Sequence, residues 1–173
     1  MNGAALEFRA DLHIHSPYSR ATSRESTLAG LAAWARIKGI NIIGSGDFTH
    51  PAWFDSISSM LEPAEPGLYR LRGIPDDTRP TSPVRFLLSA EISCIYKRHG
   101  RVRKVHNLVY VPDLEAARLL NTRLSSVGNI VSDGRPILGL DSRDLLEILL
   151  ETAPEGFMVP AHVWTPWFSL FGS

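Results

Sequence analysis

Asp11-Leu-His13-Ile-His15 is the first place in this chain where residue type and spacing point to chemistry. On an extended backbone, side chains alternate between faces, so His13 and His15 project together with Cα atoms about 6.5–7 Å apart. Two imidazoles so placed can reach one divalent ion through metal–nitrogen bonds of about 2.0–2.1 Å. The same spacing also serves two unrelated surface histidines on an edge strand. The other histidines bear on the choice. The chain has six, at 13, 15, 50, 99, 106 and 162. Five of them (His13, His15, His50, His106 and His162) fall at or just beyond segments that read as strands. In folds with parallel strands the C-terminal strand ends gather on one face, where active sites form.

Two carboxylates join them. Asp47 follows a short apolar run, and Glu91 sits inside the apolar run FLLSAEISCIY. A buried carboxylate is costly unless it is paired or metal-bound. Glu91 is therefore either a metal ligand or half of a buried ion pair with an arginine. As a set, His13, His15, His50, His106, His162 and Glu91 read as a metal cluster, with Glu91 and Asp47 as the catalytic carboxylates. A His/carboxylate set without a cysteine pair suits an open site for Zn, with Mn, Mg or Fe as alternatives. Two ions sharing a bridging carboxylate such as Glu91 generate a hydroxide nucleophile and clamp a phosphoryl oxygen. The expected reaction is metal-assisted hydrolysis of a phosphoester.

The elements that must position these residues alternate between strand and helix, which gives an α/β class. Residues 8–15, 40–46, 84–96, 105–111 and 157–161 read as strands, and 27–38, about 113–125 and 142–152 as helices. Ser26 and Asp141 or Ser142 are candidate N-caps, and Gly39 is a candidate helix stop. Residues 62–83 carry five prolines and read as a long loop. Between two of the strands lies KRHGRVRK, a turn at Gly100 flanked by Lys97, Arg98, Arg101, Arg103 and Lys104. At a hairpin tip these cations either contact nucleic-acid phosphates or keep an edge strand from pairing. Arg135, in the turn SDGRP, either holds a phosphate or belongs to a structural turn. Trp53, Trp164, Trp167 and Phe168 either line a base pocket or pack in a core, and core packing is the commoner fate.

Composition excludes other classes. The chain has 173 residues, 44% hydrophobic and 21% charged, enough to bury one core. Eighteen Lys and Arg balance eighteen Asp and Glu, which argues against a chain-wide polycation. A single cysteine, Cys94, rules out an internal disulfide framework and a Cys-rich zinc module. No signal-peptide pattern or membrane-spanning apolar run is present, so a soluble cytoplasmic protein is expected. From Gly156 to Ser173 the chain lacks Asp, Glu, Lys and Arg. That aromatic, apolar stretch reads as core material short of its packing partners. Residues 1–173 are thus expected to be the N-terminal part of a single larger domain.

ADLHIHSPYS resembles the opening motif of the PHP (polymerase and histidinol phosphatase) superfamily. Glu91, the KVHNL stretch at His106 and VPAH at His162 resemble its later metal-ligand motifs, in the same order. SRATSRESTL, IGSGDFTHPAWF, SDGRPILGLDSRDLLEIL and VPAHVWTPWFSLFGS resemble the endonuclease Q group within it. The resemblance implies a distorted (βα)7 barrel holding two or three ions at its C-terminal strand ends. It also implies an enzyme that nicks DNA on the 5′ side of deaminated bases (hypoxanthine, uracil) or abasic sites. Two departures stand out. The family's Thr-Asp-His is here Gly46-Asp47-Phe48, so Asp47 matches the family aspartate and a histidine follows only at His50. The family's final Asp-x-His motif does not occur, so the barrel is expected to be incomplete at its C-terminus. The alternative functions are a PHP-type phosphatase of a small phosphomonoester, or an inactive fragment.

Overall fold

The computed structural model describes residues 7–74 and 83–172. In chain order it contains β1 (Ala10–Asp11), α1 (Leu28–Lys38), β2 (Ile42–Gly44), α2 (Pro51–Met60), β3 (Leu61–Pro63), β4 (Tyr69–Leu71), β5 (Arg85–Arg98), β6 (Arg101–Val111), α3 (Leu114–Val127), β7 (Ile137–Leu138), α4 (Ser142–Thr152) and β8 (Phe157–Pro160). No described helix is long and apolar enough to cross a membrane.

Local chemistry accounts for the helices. Leu28, Ala32 and Ala35 recur at helical spacing and form the buried stripe of α1. The Thr27 hydroxyl, rather than Ser26, caps this helix by accepting from the Gly30 N–H at 3.1 Å. Gly39 ends it in the left-handed region at φ 70°. The α3 and α4 helices start on Asp113 and Asp141, whose carboxylates accept from the Ala116 and Arg143 N–H groups at 2.7 and 2.9 Å. Pro51 opens α2, where a missing N–H does no harm.

β5 is the spine of an open, mixed, eight-stranded sheet. Its first residues pair in parallel with β2, which in turn pairs in parallel with β1. On its other side Phe86 lies opposite Tyr69 of antiparallel β4. Further along, β5 pairs antiparallel with β6 from Leu88↔Val111 to Arg98↔Arg101, and in parallel with β7 at Ser93 and Cys94. β8 closes the outer side of β6. The pleat sorts the two faces. Phe86, Leu88, Ala90, Ile92, Cys94, Val109 and Val111 join the main core with Leu120 and Leu124 of α3 and Leu145 and Leu149 of α4. Each fully buried leucine there contributes on the order of 1.5–3 kcal/mol. The opposite face carries Leu87, Ser89, Glu91 and Ser93 beside His106, Leu108 and Tyr110. That polar face is free to build a site because the helix face supplies the burial.

Several sequence expectations are corrected. The first strand is two residues long, not eight, because β2, its partner, is itself only three residues long. The proline-rich 62–83 segment includes most of a hairpin, β3–β4, paired from Leu61↔Leu71 to Pro63↔Tyr69; residues 75–82 lie outside the described part. α2 and β7 were not anticipated. The sheet is mixed rather than parallel where the site forms, because β5 and β6 make the hairpin expected at Gly100. Its tip, His99-Gly100, has φ of 50° and 75°, as a two-residue primed turn requires. Trp53 is core, whereas Trp164 and Trp167 are 78% and 73% exposed.

Candidate metal centre

His13 and His15 lie just past the end of β1. The intervening side chains anchor them: Ile14 packs on the main core, and Leu12 packs on the small cluster of Leu108, Tyr110 and Ala161. The end of β2 approaches this segment so closely that side chains are excluded. A Cβ on Gly46, which has φ 64°, would lie 2.7 Å from the Ile14 carbonyl oxygen and 3.2 Å from the His15 Cα. Glycine at 46 thus sets the two histidines against the sheet.

Glu91, 1% exposed, projects from the middle of β5 into the histidines. Its Oε1 lies 3.3 Å from His13 Nε2, 3.0 Å from His106 Nδ1 and 3.6 Å from His162 Nε2. Its Oε2 lies 3.2 Å from His15 Nε2 and 3.4 Å from Arg135 Nη1. His106 Nδ1 and His162 Nε2 are 3.2 Å apart. Two groups of ligand atoms result, His13/His15/Glu91 and Glu91/His106/His162, with Glu91 common to both. Despite these neighbours, Oε1 accepts no properly directed hydrogen bond. Burial alone would raise the Glu91 carboxyl, but His106, His13 and His15 outweigh it and hold the group well below the usual carboxylate range.

The donor set fits divalent ions. Ligand atoms about 2.1 Å from one tetrahedral ion lie about 3.4 Å from each other, close to the separations around Glu91. An anionic oxygen facing three imidazole nitrogens without an aligned donor is a place for a cation.

Asp47 pairs with His15. Its Oδ1 is 2.9 Å from His15 Nδ1, and its Oδ2 accepts from the Ser16 N–H (2.6 Å), the Ser16 hydroxyl (2.7 Å) and the Ser19 hydroxyl (2.8 Å). With Asp47 on Nδ1, the His15 Nε2 is left to face Glu91, the arrangement that orients ligating histidines. Burial lowers the His15 pKa, but Asp47 and Glu91 more than reverse this and raise it to about 9. Asp47 and His162 both sit at positive φ, 46° and 34°, strain of the kind that collects at functional sites. The Thr165 hydroxyl lies 3.0 Å from His162 Nδ1, and Phe168 stands 4.4 Å from the His106 ring.

The structure thus brings His13, His15, His106 and His162 around Glu91, with Asp47 behind His15 rather than beside Glu91. Not all of them sit at strand ends. His106 lies within β6, which runs opposite to β5, because the long hairpin carries the middle of both strands into the site. His50 stands apart from both ligand groups: it occupies the N-cap position of α2 without a side-chain capping hydrogen bond and stacks on Tyr18 at 4.4 Å. Arg135 reaches the centre itself. The pleat divides the hairpin cations. Lys97 and Lys104 share the face of Glu91 and His106, with Lys104 Nζ 5.8 Å from the Phe168 ring. Arg98, Arg101 and Arg103 lie on the helix face, where Arg98 pairs with Asp141 at 3.2 Å. Sequence reading missed Ser16, Ser19, Ser89 and Ser93. The Ser-x-Glu-x-Ser period of two within β5 is the signal that marks the last two.

No protein-family model matches the chain. It is 29% identical over 157 residues to the uncharacterized protein MJ0043 of Methanocaldococcus jannaschii, covering 90% of this chain and 16% of that protein. Among solved structures it is similar to the lesion-specific endonuclease PfuEndoQ of Pyrococcus furiosus, with a TM-score of 0.76 and 33% identity over 94% of this chain. It is similar as well to an endonuclease Q complex with a 27-mer duplex bearing an abasic lesion at the active site, with a TM-score of 0.75, 33% identity and 93% of this chain covered. The chain spans 36% of the length of each of these two structures.

Proposed function

We propose that this chain carries the hydrolytic centre of a metal-dependent DNA repair endonuclease that nicks 5′ of deaminated bases, hypoxanthine or uracil, or of abasic sites. The observation that carries the reading is the buried Glu91 carboxylate shared by two histidine groups. The similarity to a solved endonuclease bound to an abasic duplex supports DNA as the substrate. On this reading β1, β2 and β5 with α1 and α2 are opening units of a distorted (βα)7 barrel.

His13, His15 and Glu91 would hold one divalent ion and Glu91, His106 and His162 a second, with zinc the best match to imidazole and carboxylate donors. Such ions, when bound, polarise a phosphoryl oxygen and supply a nucleophile from water at neutral pH. The residues of the chain do the rest. Asp47 fixes the His15 tautomer, and Ser16 and Ser19 hold Asp47. Glu91 stays anionic between the two groups. Lys97 and Lys104, on the face of the site, meet flanking phosphates together with Arg135, while Arg98, Arg101 and Arg103 lie on the helix face, away from the duplex.

The test is a nicking assay on end-labelled duplexes with one hypoxanthine, uracil or abasic site. A single cut 5′ of the lesion is expected with added metal. It should vanish with EDTA, return with Zn²⁺ or Mn²⁺, and be absent in Glu91→Gln. An intact lesion duplex combined with release of phosphate from small monoesters overturns the nuclease reading in favour of a phosphatase.

A further inference from the structure

The His162 ring is oriented by its own turn. In His162-Val-Trp-Thr165 the Thr165 N–H donates to the His162 carbonyl at 2.9 Å. The Thr165 hydroxyl lies 3.0 Å from His162 Nδ1, 3.1 Å from the His162 carbonyl and 2.8 Å from the Trp167 carbonyl. A hydroxyl has one proton to give, and carbonyl oxygens only accept. That proton goes to a carbonyl, the Trp167 oxygen being the nearer, so toward the ring the hydroxyl oxygen can only accept. His162 Nδ1 must then carry a hydrogen. Nε2, 3.6 Å from Glu91 Oε1 and 3.2 Å from His106 Nδ1, is the nitrogen left to the centre. The loop that presents Thr165 is itself knitted. The Ser169 hydroxyl donates to the Thr165 carbonyl and accepts from the Gly172 N–H at 2.9 Å, and the Phe171 N–H donates to the Val163 carbonyl at 3.1 Å. The same loop is tied to β6 at the neighbouring ligand, where the His106 N–H donates to the Phe168 carbonyl at 3.0 Å.

We propose that Thr165 is a positioning residue for the Glu91/His106/His162 group: its hydroxyl fixes the His162 ring in the tautomer whose bare Nε2 faces Glu91. This rests on reading that group as metal ligands. The role parallels the one proposed for Asp47 at His15, with a neutral hydroxyl in place of a carboxylate. Of the two neutral tautomers only one ligates through Nε2, and the hydrogen bond made by the other ring nitrogen decides which is present. Because the Trp167 carbonyl takes the hydroxyl proton, the choice does not rest on water, although this turn faces solvent.

The test is a long-range ¹H–¹⁵N spectrum of the imidazole rings, in which protonated and bare nitrogens are well separated. It is recorded on the labelled chain at about pH 8, where an ordinary imidazole is neutral, first with chelator and then across free zinc levels set by a chelator buffer. His162→Gln assigns the signals. In the wild type, His162 should show a protonated Nδ1 and a bare Nε2, and Nε2 should shift as zinc binds. Thr165→Val, which keeps the shape but not the hydroxyl, should populate the Nε2–H tautomer and need about 10- to 100-fold more free zinc to shift His162. The His15 signals should respond at the wild-type zinc level. Thr165→Ser should restore the His162 midpoint to within about threefold. Ser169→Ala loosens the same loop without touching the ring, and it too should stay within about threefold. A protonated Nε2 in the wild type, an unchanged Thr165→Val, or an equal loss in Ser169→Ala overturns the proposal. If wild-type His162 does not respond to zinc, the metal-ligand reading falls, while the tautomers of the wild type and Thr165→Val still decide whether Thr165 sets the ring.

Discussion

His15 offers one ring nitrogen to Asp47 and the other to Glu91, and both neighbours are carboxylates. Without metal, the imidazole therefore keeps its proton up to about pH 9, against an ordinary value of 6.5. A histidine whose pKa is higher folded than unfolded stabilises the fold fully below the unfolded value and loses that contribution as pH climbs through the folded one. The metal-free chain should thus lose stability between about pH 6.5 and 9, and Asp47→Asn should flatten that slope. Denaturant unfolding with chelator present at pH 6 and pH 9.5 checks both. Metal affinity should rise over the same window, because a ligating His15 must first release its proton.

Among the elements, the short end of β2 has the largest leverage on the centre. It contributes three strand residues, yet Gly44 and Gly46 let it press against the His13–His15 segment without side chains between. Gly46→Ala must place a Cβ in a left-handed residue and against a backbone carbonyl at 2.7 Å. The expected loss is about 2–4 kcal/mol, read from the urea midpoint, together with weaker zinc binding because the His15 Cα lies next in line. The β5–β6 hairpin has a different task. Its long antiparallel register carries Glu91 and His106 on one face and core residues on the other, so burial and chemistry are separated by a single peptide unit.

For the molecule as a whole, charge is balanced in total but uneven in place. Lys97 and Lys104 stand on the site face of the hairpin and Arg98, Arg101 and Arg103 on the helix face. On the proposed nuclease reading, a duplex lying across the centre meets the first pair. Replacing both lysines with glutamine should reduce the slope of log affinity against log salt by about 2, at roughly 0.9 per phosphate contact. Replacing Arg101 and Arg103 should leave that slope unchanged. Fluorescence anisotropy of a labelled lesion duplex across a salt series measures both. Equal effects from the two pairs would show that the faces are not distinguished by DNA.

How much was legible in the sequence follows the range of the interactions. The helix at 142–152 with its cap at Asp141, the stop at Gly39 and the turn at Gly100 depend on neighbours within a few residues, and local chemistry determined them. The histidine and carboxylate types were legible too, because a buried Glu91 amid apolar residues demands a cationic partner wherever the chain folds. Strand lengths were not, since a strand extends only as far as its partner, and β1 and β2 find theirs across 30 or more residues. Nor could the chain by itself say that Asp47 stands behind His15, that His50 stacks on Tyr18 away from the ligands, or that Arg135 reaches Glu91. Those pairings span about 30–45 positions and follow from how the sheet brings distant segments together. Residue chemistry is local and written in the chain, but the distance between two such residues is a property of the folded sheet.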